Sequence, residues 1–165
     1  MNISIYVAGP LFSHAEREFL EKIVNTLAYS ARLDPLTNFF LPHRDGGELG
    51  KGSCRHDIFH LDMAKINSSD AMVALLDGQD SDSGTCVELG YAYANHKKIF
   101  GLLTDFRSYC TSDGEPHRPN LMVWGLCEEG RTLFNDLNAL AAAFREFVTS
   151  KDRQNLVSDA KAGGV

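Results

Sequence analysis

The chain has 165 residues, of which 44% are hydrophobic and 23% are charged, a composition typical of a globular protein with enough apolar material for one core. Its 22 acidic residues outnumber the 16 basic ones, and the formal net charge of −6 argues against wrapping nucleic acid or lying on an anionic membrane. No apolar run approaches the roughly 20 residues that cross a bilayer, and the first residues do not resemble a signal peptide, so we expect a cytoplasmic protein that does not contact membranes.

The first part of the chain alternates between strand and helix patterns. Residues 3–7 are β-branched or aromatic at alternate positions and stop at Gly9, which predicts a strand that ends in a tight loop. Apolar residues at helical spacing predict a helix over about 14–31. Residues 38–42 predict a short second strand, and the polar, glycine-rich segment 43–52 predicts a long loop.

The alternation continues through the middle of the chain. Residues 55–67 suit a helix, and the continuous apolar run 71–76 is typical of a strand that is buried on both faces. An acidic loop over 77–84 follows, then a helix from Thr85 to about residue 95, and a strand over 98–103.

The last third of the chain gives weaker signals. Residues 104–119 predict a polar connection, and residues 120–126 predict a short apolar turn or helix. Residues 133–148 have the spacing of a last amphipathic helix. We expect a single domain over residues 1–150 and a frayed tail over residues 151–165.

Strands that alternate with helices indicate a three-layer α/β/α fold with a five-stranded, mostly parallel sheet of the flavodoxin or Rossmann-like kind. Such sheets bind ligands beyond the carboxyl ends of their strands. We therefore expect the loops 8–13, 42–52 and 77–85 to share one site. The chain contains no G-x-G-x-x-G and no G-x-x-x-x-G-K-[ST] motif, which disfavours enzymes with a phosphate-binding loop.

The histidines and cysteines show no metal-binding pattern. His56 and His60 are four residues apart and fit one helix face, but the sequence offers no third ligand nearby. We interpret the four widely spaced cysteines as free thiols; they are Cys54, Cys86, Cys110 and Cys127. We expect no bound metal.

Glu88 allows two interpretations. Thr85 and Glu88 match the S/T-x-x-E capping box, in which the glutamate only accepts a backbone N–H at the start of a helix. The small neighbour Gly84 and the nearby Asp82 favour instead a carboxylate that meets a ligand at the mouth of the sheet. Spacing alone favours the cap, and both interpretations stay open at this point.

The other acidic candidates also have a plain structural interpretation. Asp62 lies on a mostly apolar helix and is either a solvated residue, which the pattern favours, or a carboxylate aimed at the cleft. Asp77, Asp80 and Asp82 fit a turn-forming acidic run. Tyr6, inside the first strand, fits the core.

A combination of short segments favours the functional interpretation of these residues over the structural one. They are Tyr6-Val-Ala-Gly-Pro-Leu-Phe12, Leu41-Pro-His-Arg-Asp45, Asp62 ahead of Ser69-Asp-Ala-Met-Val73, Asp82-Ser-Gly-Thr-Cys-Val-Glu-Leu-Gly-Tyr-Ala92 and Asn120-Leu-Met-Val-Trp124. Together, in this order, they resemble the nucleoside 2-deoxyribosyltransferase family. The match extends from Ile5 to about Gly125, and its fourth segment is the most specific.

The resemblance implies a set of catalytic roles. Glu88 corresponds to the nucleophile that attacks the anomeric carbon of a 2′-deoxynucleoside and forms a covalent deoxyribosyl ester as the base departs. Tyr6 orients that carboxylate, Asp62 exchanges a proton with the base, and Asp82 helps to place the substrate. This is the logic of a retaining glycosidase in which a second base replaces water, and it requires no metal or organic cofactor.

The resemblance also implies substrate-binding residues for 2′-deoxynucleosides and free nucleobases. Gly9 belongs to the first matching segment, and Phe12 lines the base pocket. Asn120, with Met122 close by, corresponds to a residue that a neighbouring subunit contributes to the 5′-hydroxyl, so we expect a homo-oligomer.

Arg44 and Asp45 remain open, because the family varies in this loop. They either hydrogen-bond a purine edge or hold the loop in place, and the sequence does not decide between these two roles.

Two rival functions remain. A related N-glycoside hydrolase acts on 2′-deoxynucleoside 5′-monophosphates and passes the sugar to water, but those relatives carry small hydroxyl residues at the position of Asn120. Asp82 would also repel a phosphate dianion. A non-catalytic nucleotide-binding module on the same scaffold is the second rival, because fold alone does not fix function.

Overall fold

The computed structural model describes residues 3–47, 51–105 and 119–162, with side chains up to residue 154. Within these ranges lie five strands: β1 (Ile5–Ala8), β2 (Phe39–Phe40), β3 (Ala71–Leu75), β4 (Lys98–Leu102) and β5 (Leu133–Phe134). The same ranges contain six helices: α1 (His14–Ala31), α2 (Pro42–Asp45), α3 (Arg55–Ser68), α4 (Ser83–Ala94), α5 (Leu121–Leu126) and α6 (Leu137–Ala162).

The strands form one parallel sheet in the order β2-β1-β3-β4-β5. The chain leaves β1 toward β2 on one side and then crosses back to β3 on the other side, so the strand order reverses between β1 and β3. Loops that leave the carboxyl ends of these two strands therefore diverge and open a crevice. The fold positions any ligand site at this crevice.

Helices cover both faces of the sheet and make two cores. Because side chains alternate along a strand, Ile5 and Val7 pack toward α1 and α6, whereas Tyr6 and Ala8 face the layer of α3, α4 and α5. β3 alternates in the same way and is buried along its whole length. The predicted three-layer α/β fold is thus confirmed, with every strand pair parallel.

Most of the predicted elements agree with the structure. Helix α1 spans the predicted residues 14–31, and α3, β3 and β4 differ from their predicted bounds by a single residue. None of the described helices combines the length and the apolar character needed to cross a membrane.

Two segments were predicted wrongly. The loop predicted over 43–52 begins instead inside the short helix α2, and its residues 48–50 lie outside the described ranges, as do residues 106–118 of the predicted connection. Residues 133–134 form strand β5 rather than the start of the last helix.

The last helix begins late because Asp136 caps it. The Asp136 side chain accepts hydrogen bonds from the backbone N–H groups of Asn138 and Ala139, which fixes the helix start after residue 136. The preceding residues are then free to pair with β4, where Leu103 N–H donates to the carbonyl of Phe134. Helix α6 continues to Ala162, well past the predicted end at 148.

Candidate active site

A cavity of about 480 Å³ lies at the carboxyl ends of β1 and β3. Its walls come from the loop after β1, from α2 and the residues after it, from α3 and from the start of α4. Asp62, Asp82 and Glu88 contribute three carboxyl groups to it, and we call it the acidic cavity. The acidic cavity thus contains residues from all three loops that the sequence predicts at one site, 8–13, 42–52 and 77–85.

Glu88 and Tyr6 form the central contact of the acidic cavity. The hydroxyl of Tyr6, which is fully buried on β1, donates a hydrogen bond of 2.5 Å to Oε1 of Glu88 on α4. The pKa of Glu88 is raised to about 7. Burial is the largest cause, the hydrogen bond from Tyr6 opposes it, and the charges of Asp62 and Asp82 add to the rise. The carboxyl group therefore changes its charge near neutral pH.

The interpretation of Glu88 as a helix cap is wrong. Asp82 is the capping residue of α4, because its Oδ2 accepts hydrogen bonds from Thr85 N at 2.8 Å and Thr85 Oγ1 at 3.1 Å. The helix therefore begins at Ser83, two residues before the predicted start, and Glu88 falls in its second turn. From there its carboxylate meets Tyr6 instead of the first backbone N–H groups.

Asp62 is a partly buried wall residue of the acidic cavity, although the pattern favoured a solvated one. Its Oδ1 is buried and has no hydrogen-bond partner among the residues that the structure describes. Burial raises the pKa of Asp62 to about 6. The segment after α2 passes close above it, since a Cβ on Gly46 would lie 3.5 Å from Oδ1.

Asp77 and Asp80 do not belong to the lining described for the cavity. The Asp77 carboxylate accepts hydrogen bonds from the backbone N–H and hydroxyl of Thr104 and from the N–H of Asp105. It therefore ties the loop after β3 to the end of β4. The turn-forming interpretation of Asp77 is therefore wrong, because its carboxylate bonds residues 104 and 105 and not its own turn. Asp80 is exposed, which agrees with a place in a surface turn.

The first loop contributes Phe12 to the cavity. Its ring is 77% exposed and forms part of the wall, which suits an aromatic surface that becomes covered when a ligand binds. Gly9 lies behind this wall: a Cβ there would approach Leu20 Cδ2 to 2.9 Å and Leu75 Cβ to 3.0 Å. Glycine at this position allows β1 to end in close contact with β3 and α1.

Arg44 and Asp45 hold the corner between β2 and α2. The Arg44 guanidinium donates to both carboxylate oxygens of Asp45 and to the carbonyls of Phe39 and Pro35. Asp45 in turn accepts the N–H of Leu41. Neither residue is in the described lining of the acidic cavity, and these contacts support the loop-holding role over the base-binding one.

Asn120 and Met122 lie on the surface at the start of α5. The Asn120 side chain accepts a hydrogen bond of 2.9 Å from Met122 N, and the Met122 side chain is 72% exposed. In the described part of this single chain, neither residue reaches the acidic cavity. Exposed apolar side chains surround them, including Leu121 and Trp124.

Among the residues of the cavity wall that sequence reasoning did not single out, Arg17 and His43 carry ionisable side chains. Arg17 Nε donates a hydrogen bond of 2.8 Å to the carbonyl of Leu11, which steadies the first loop. Its position in the first turns of α1, directly after that loop, was the available signal. His43 belonged to a matching segment, but nothing in the pattern indicated that its side chain is buried.

The described residues contain no group of three or more metal-binding side chains in a suitable arrangement. The rings of His56 and His60 do lie close together, with centroids 4.3 Å apart. Cys54, Cys86 and Cys127 are free thiols, and Cys110 lies outside the described ranges.

The fold and the cavity define a three-layer α/β protein with an acidic cavity at the strand-order reversal. Residues 5–137 match the profile of the family described as Nucleoside 2-deoxyribosyltransferase, and the chain belongs to this family of glycosyl-transferring enzymes.

Three individual proteins are similar to this chain in sequence or in structure. An uncharacterized protein of Ureaplasma parvum is 33% identical over 117 residues, which cover 64% of this chain and 72% of that protein. A conserved protein from Enterococcus faecalis V583 has a similar structure, with a TM-score of 0.73 and 25% identity over 88% of this chain and 99% of the other. A 2-desoxiribosyltransferase from Leishmania mexicana gives a TM-score of 0.64 and 25% identity, covering 88% and 98% of the two chains.

The buried carboxyl of Glu88 should make stability depend on pH. Below pH 4.5, its ordinary pKa, the group is neutral in the folded and unfolded chain alike. As pH rises through about 7, ionisation in the cavity costs up to about 3 kcal/mol. Glu88→Gln, which stays neutral, should therefore exceed the unchanged protein in free energy of unfolding by about 2 to 3 kcal/mol at about pH 8 and by almost nothing near pH 4.5.

Urea unfolding of both proteins at the two pH values measures this difference. Glu146→Gln is the matched control, because Glu146 is exposed on α6 and its replacement should change stability little at either pH. A Glu88→Gln effect of equal size at both pH values would contradict the assignment of a neutral-range pKa to this carboxyl.

Proposed function

We propose that this protein is a nucleoside 2-deoxyribosyltransferase that moves 2-deoxyribose between purine or pyrimidine bases through a covalent ester on Glu88. The observation that carries the proposal is the pairing of two carboxyl groups with raised pKa values in one cavity. Glu88 is held by the Tyr6 hydroxyl, and Asp62 presents an oxygen without a partner among the described residues. Family membership supports the reaction class.

In the first displacement the ionised Glu88 carboxylate attacks the anomeric carbon of a 2′-deoxynucleoside. The bond between that carbon and the base nitrogen breaks, and its electron pair leaves with the base. Asp62 donates a proton to a ring nitrogen of the departing base, which makes the base a better leaving group. The absence of a 2′-hydroxyl eases formation of the oxocarbenium-like transition state.

The two raised pKa values suit these roles. A general acid must carry its proton when it acts, and burial raises the pKa of Asp62 to about 6, so that about one tenth of Asp62 is protonated at pH 7 and more at lower pH. Glu88 must be ionised to attack, and its pKa of about 7 leaves a substantial anionic fraction at neutral pH. The Tyr6 hydroxyl stabilises that anion and fixes the direction of its oxygen.

In the second displacement a different base occupies the place of the first. Its ring nitrogen attacks the anomeric carbon, the ester bond to Glu88 breaks, and the Asp62 carboxylate takes the proton that the attacking nitrogen loses. Two successive inversions retain the configuration at the sugar. Glu88 and Asp62 then regain their starting charges.

Asp82 and Phe12 complete the proposed site within this chain. Asp82 lines the acidic cavity while it caps α4, so its carboxylate is fixed in direction and suits the positioning of a sugar. Phe12 offers an aromatic face for the base. The three carboxyl groups of the cavity outnumber the one guanidinium in its wall, that of Arg17. When they are ionised the wall is net negative and repels a phosphate dianion, which favours nucleosides over nucleoside monophosphates as donors.

A neighbouring subunit is proposed to complete the sugar site with Asn120, with Met122 close by. Both residues lie on the surface, outside the described cavity of their own chain, and exposed apolar side chains adjoin them. Such a surface is suited to contact with a second copy of the chain.

Base exchange tests the proposed function directly. The protein is incubated with deoxyinosine or thymidine, with and without adenine, and new nucleosides are followed by chromatography. We expect deoxyadenosine only when adenine is present, and Glu88→Ala should reduce its formation at least about 10⁴-fold, while the control Glu146→Ala keeps full activity. Free deoxyribose formed at the same rate without adenine would indicate the hydrolase, and binding without turnover would indicate the non-catalytic module.

The pH dependence of exchange tests the roles of Tyr6 and Asp62. The active form has Glu88 ionised and Asp62 protonated, so kcat/KM should follow a bell whose limbs lie near pH 6 and pH 7 and belong to the coupled pair. Tyr6→Phe removes the hydrogen bond that lowers the pKa of Glu88. The alkaline limb should then move to higher pH and the maximum should fall by about 10-fold.

The matched control for this series is Tyr29→Phe, because Tyr29 is exposed on α1 outside the described cavity. Its pH profile should coincide with that of the unchanged protein. An alkaline limb that stays in place in Tyr6→Phe would remove Tyr6 from the control of Glu88.

Mixed oligomers test the contribution of a neighbouring subunit. Asn120→Ala and Glu88→Ala are co-expressed with different tags and the mixed assembly is purified through both tags. In a mixed pair, one site combines the unchanged Glu88 of one chain with the unchanged Asn120 of the other, and this site is intact. Activity should therefore return to about a quarter to a half of the normal value per subunit. Activity that stays at the sum of the two separate variants would place Asn120 outside the neighbour's site.

A further inference from the structure

The side chain of His43 is buried between α1 and the acidic cavity. It extends from α2, is only 10% exposed, and forms part of the cavity wall. Its Nε2 lies 3.6 Å from Oε1 of Glu21 on α1. Its Nδ1 is also buried and has no hydrogen-bond partner among the residues that the structure describes.

The surroundings of His43 define its hydrogen-bonding character. Burial lowers the pKa of the imidazole, an effect that the charges of Arg17 and Arg44 reinforce and those of Glu21 and Asp45 oppose. The ring is therefore neutral near pH 7. A carboxylate facing Nε2 favours the tautomer with its hydrogen on that nitrogen, which leaves Nδ1 as an acceptor with an unused lone pair.

We expect an unpaired hydrogen-bond acceptor in a residue of the cavity wall to accept a hydrogen bond from a bound ligand. A buried polar atom without a partner costs about 1 to 3 kcal/mol, and such atoms in native proteins are uncommon enough to need an explanation. The wall contains a second one, Oδ1 of Asp62 on α3. Two residues on different helices that line the same cavity thus each carry a buried polar atom without a partner among the described residues.

We infer that His43 determines which nucleobase the acidic cavity accepts, by receiving a hydrogen bond at Nδ1 from the exocyclic amino group of a 6-aminopurine or a 4-aminopyrimidine. This inference rests on the proposed function of the same cavity. His43 is a specificity-determining residue, since the bond-breaking chemistry is assigned to Glu88 and Asp62.

The chemistry of base edges supports a choice of amino over oxo bases. Adenine presents an N–H donor at position 6 beside the acceptor N7, whereas a 6-oxopurine presents acceptors at both places. The protonated Asp62 is a donor and His43 Nδ1 is an acceptor, which complements the adenine pattern. A 6-oxopurine in the same position would direct its carbonyl at a second acceptor.

The preference is measured with deoxyadenosine and deoxyinosine as alternative donors to one fixed acceptor base. We expect the unchanged protein to favour deoxyadenosine in kcat/KM by at least about 10-fold. His43→Leu should bring the ratio close to one, mainly by a loss with deoxyadenosine. His56→Leu is the matched control and should keep the ratio, because His56 is exposed and outside the described cavity wall.

A second variant tests the tautomer without changing the cavity wall. Glu21 contacts His43 and, at 3.5 Å, the Arg44 guanidinium from α1, and it is outside the described lining of the acidic cavity. Arg44 keeps its contacts with Asp45, Phe39 and Pro35, which hold α2 in place. Glu21→Ala removes the group that holds the hydrogen on Nε2, so the preference for deoxyadenosine should fall several-fold. If a thermal melt shows that His43→Leu does not fold, the donor preference of Glu21→Ala still tests the role of His43.

The results separate this inference from the proposed function. If exchange proceeds but the donor ratio is the same in the unchanged protein, His43→Leu and Glu21→Ala, the role of His43 is overturned and the proposed function stands. If the unchanged protein exchanges no base, the proposed function fails. Calorimetric titration with adenine and hypoxanthine then tests His43, and equal affinities of the unchanged protein and His43→Leu for adenine would overturn its role.

Discussion

The hydrogen bond between Tyr6 and Glu88 is the contact on which the rest of the site depends. A buried carboxyl group is costly unless it is hydrogen-bonded, and Tyr6 supplies that bond from the middle of β1 to the second turn of α4. Tyr6 reaches Glu88 because alternate residues of β1 face opposite layers of the fold. A slip of one residue in the pairing of β1 with β3 would turn the tyrosine to the other face. The sheet register therefore fixes the site.

Asp82 links the stability of α4 to the geometry of the cavity. By capping the helix at residue 82 it sets the rotation of α4, and this rotation directs Glu88 toward β1. The same carboxylate borders the cavity. One residue therefore fixes where the helix begins and adds a charge beside Glu88. The loop after β3 is held from its other side by Asp77, whose carboxylate binds the end of β4.

The sequence predicted the layers of the fold well because the signals there are local. Continuous apolar strands and the helical spacing of α1 come from burial within one element. The capping residue of α4 was predicted wrongly because the sequence offers two caps with the same spacing. Asp82 lies three residues before Thr85, and Thr85 lies three residues before Glu88. Local spacing cannot decide which of the two residues, Asp82 or Thr85, begins the helix. Strand β5 has two residues, too few to show a period. The sequence resemblance predicted a base-handling role for Asp62, whereas the burial of Asp62 depends on packing beneath Gly46, which no local pattern encodes.

The carboxyl groups of the acidic cavity and the His43 side chain are held in place by different secondary-structure elements. The carboxyl groups proposed to carry the chemistry are fixed by α3, α4 and β1, through contacts such as that of Tyr6 with Glu88. His43, proposed to read the base, sits on α2, and α2 is attached to β2 by the Arg44 and Asp45 contacts. The hydrogen bonds described for the side chains of α2 lead to α1, to the residues around β2 and to one another, and none of them leads to α3, α4 or β1. The α2 segment can therefore change its side chains while Glu88 keeps its geometry. The proposed base choice and the proposed sugar transfer thus depend on different elements of the fold.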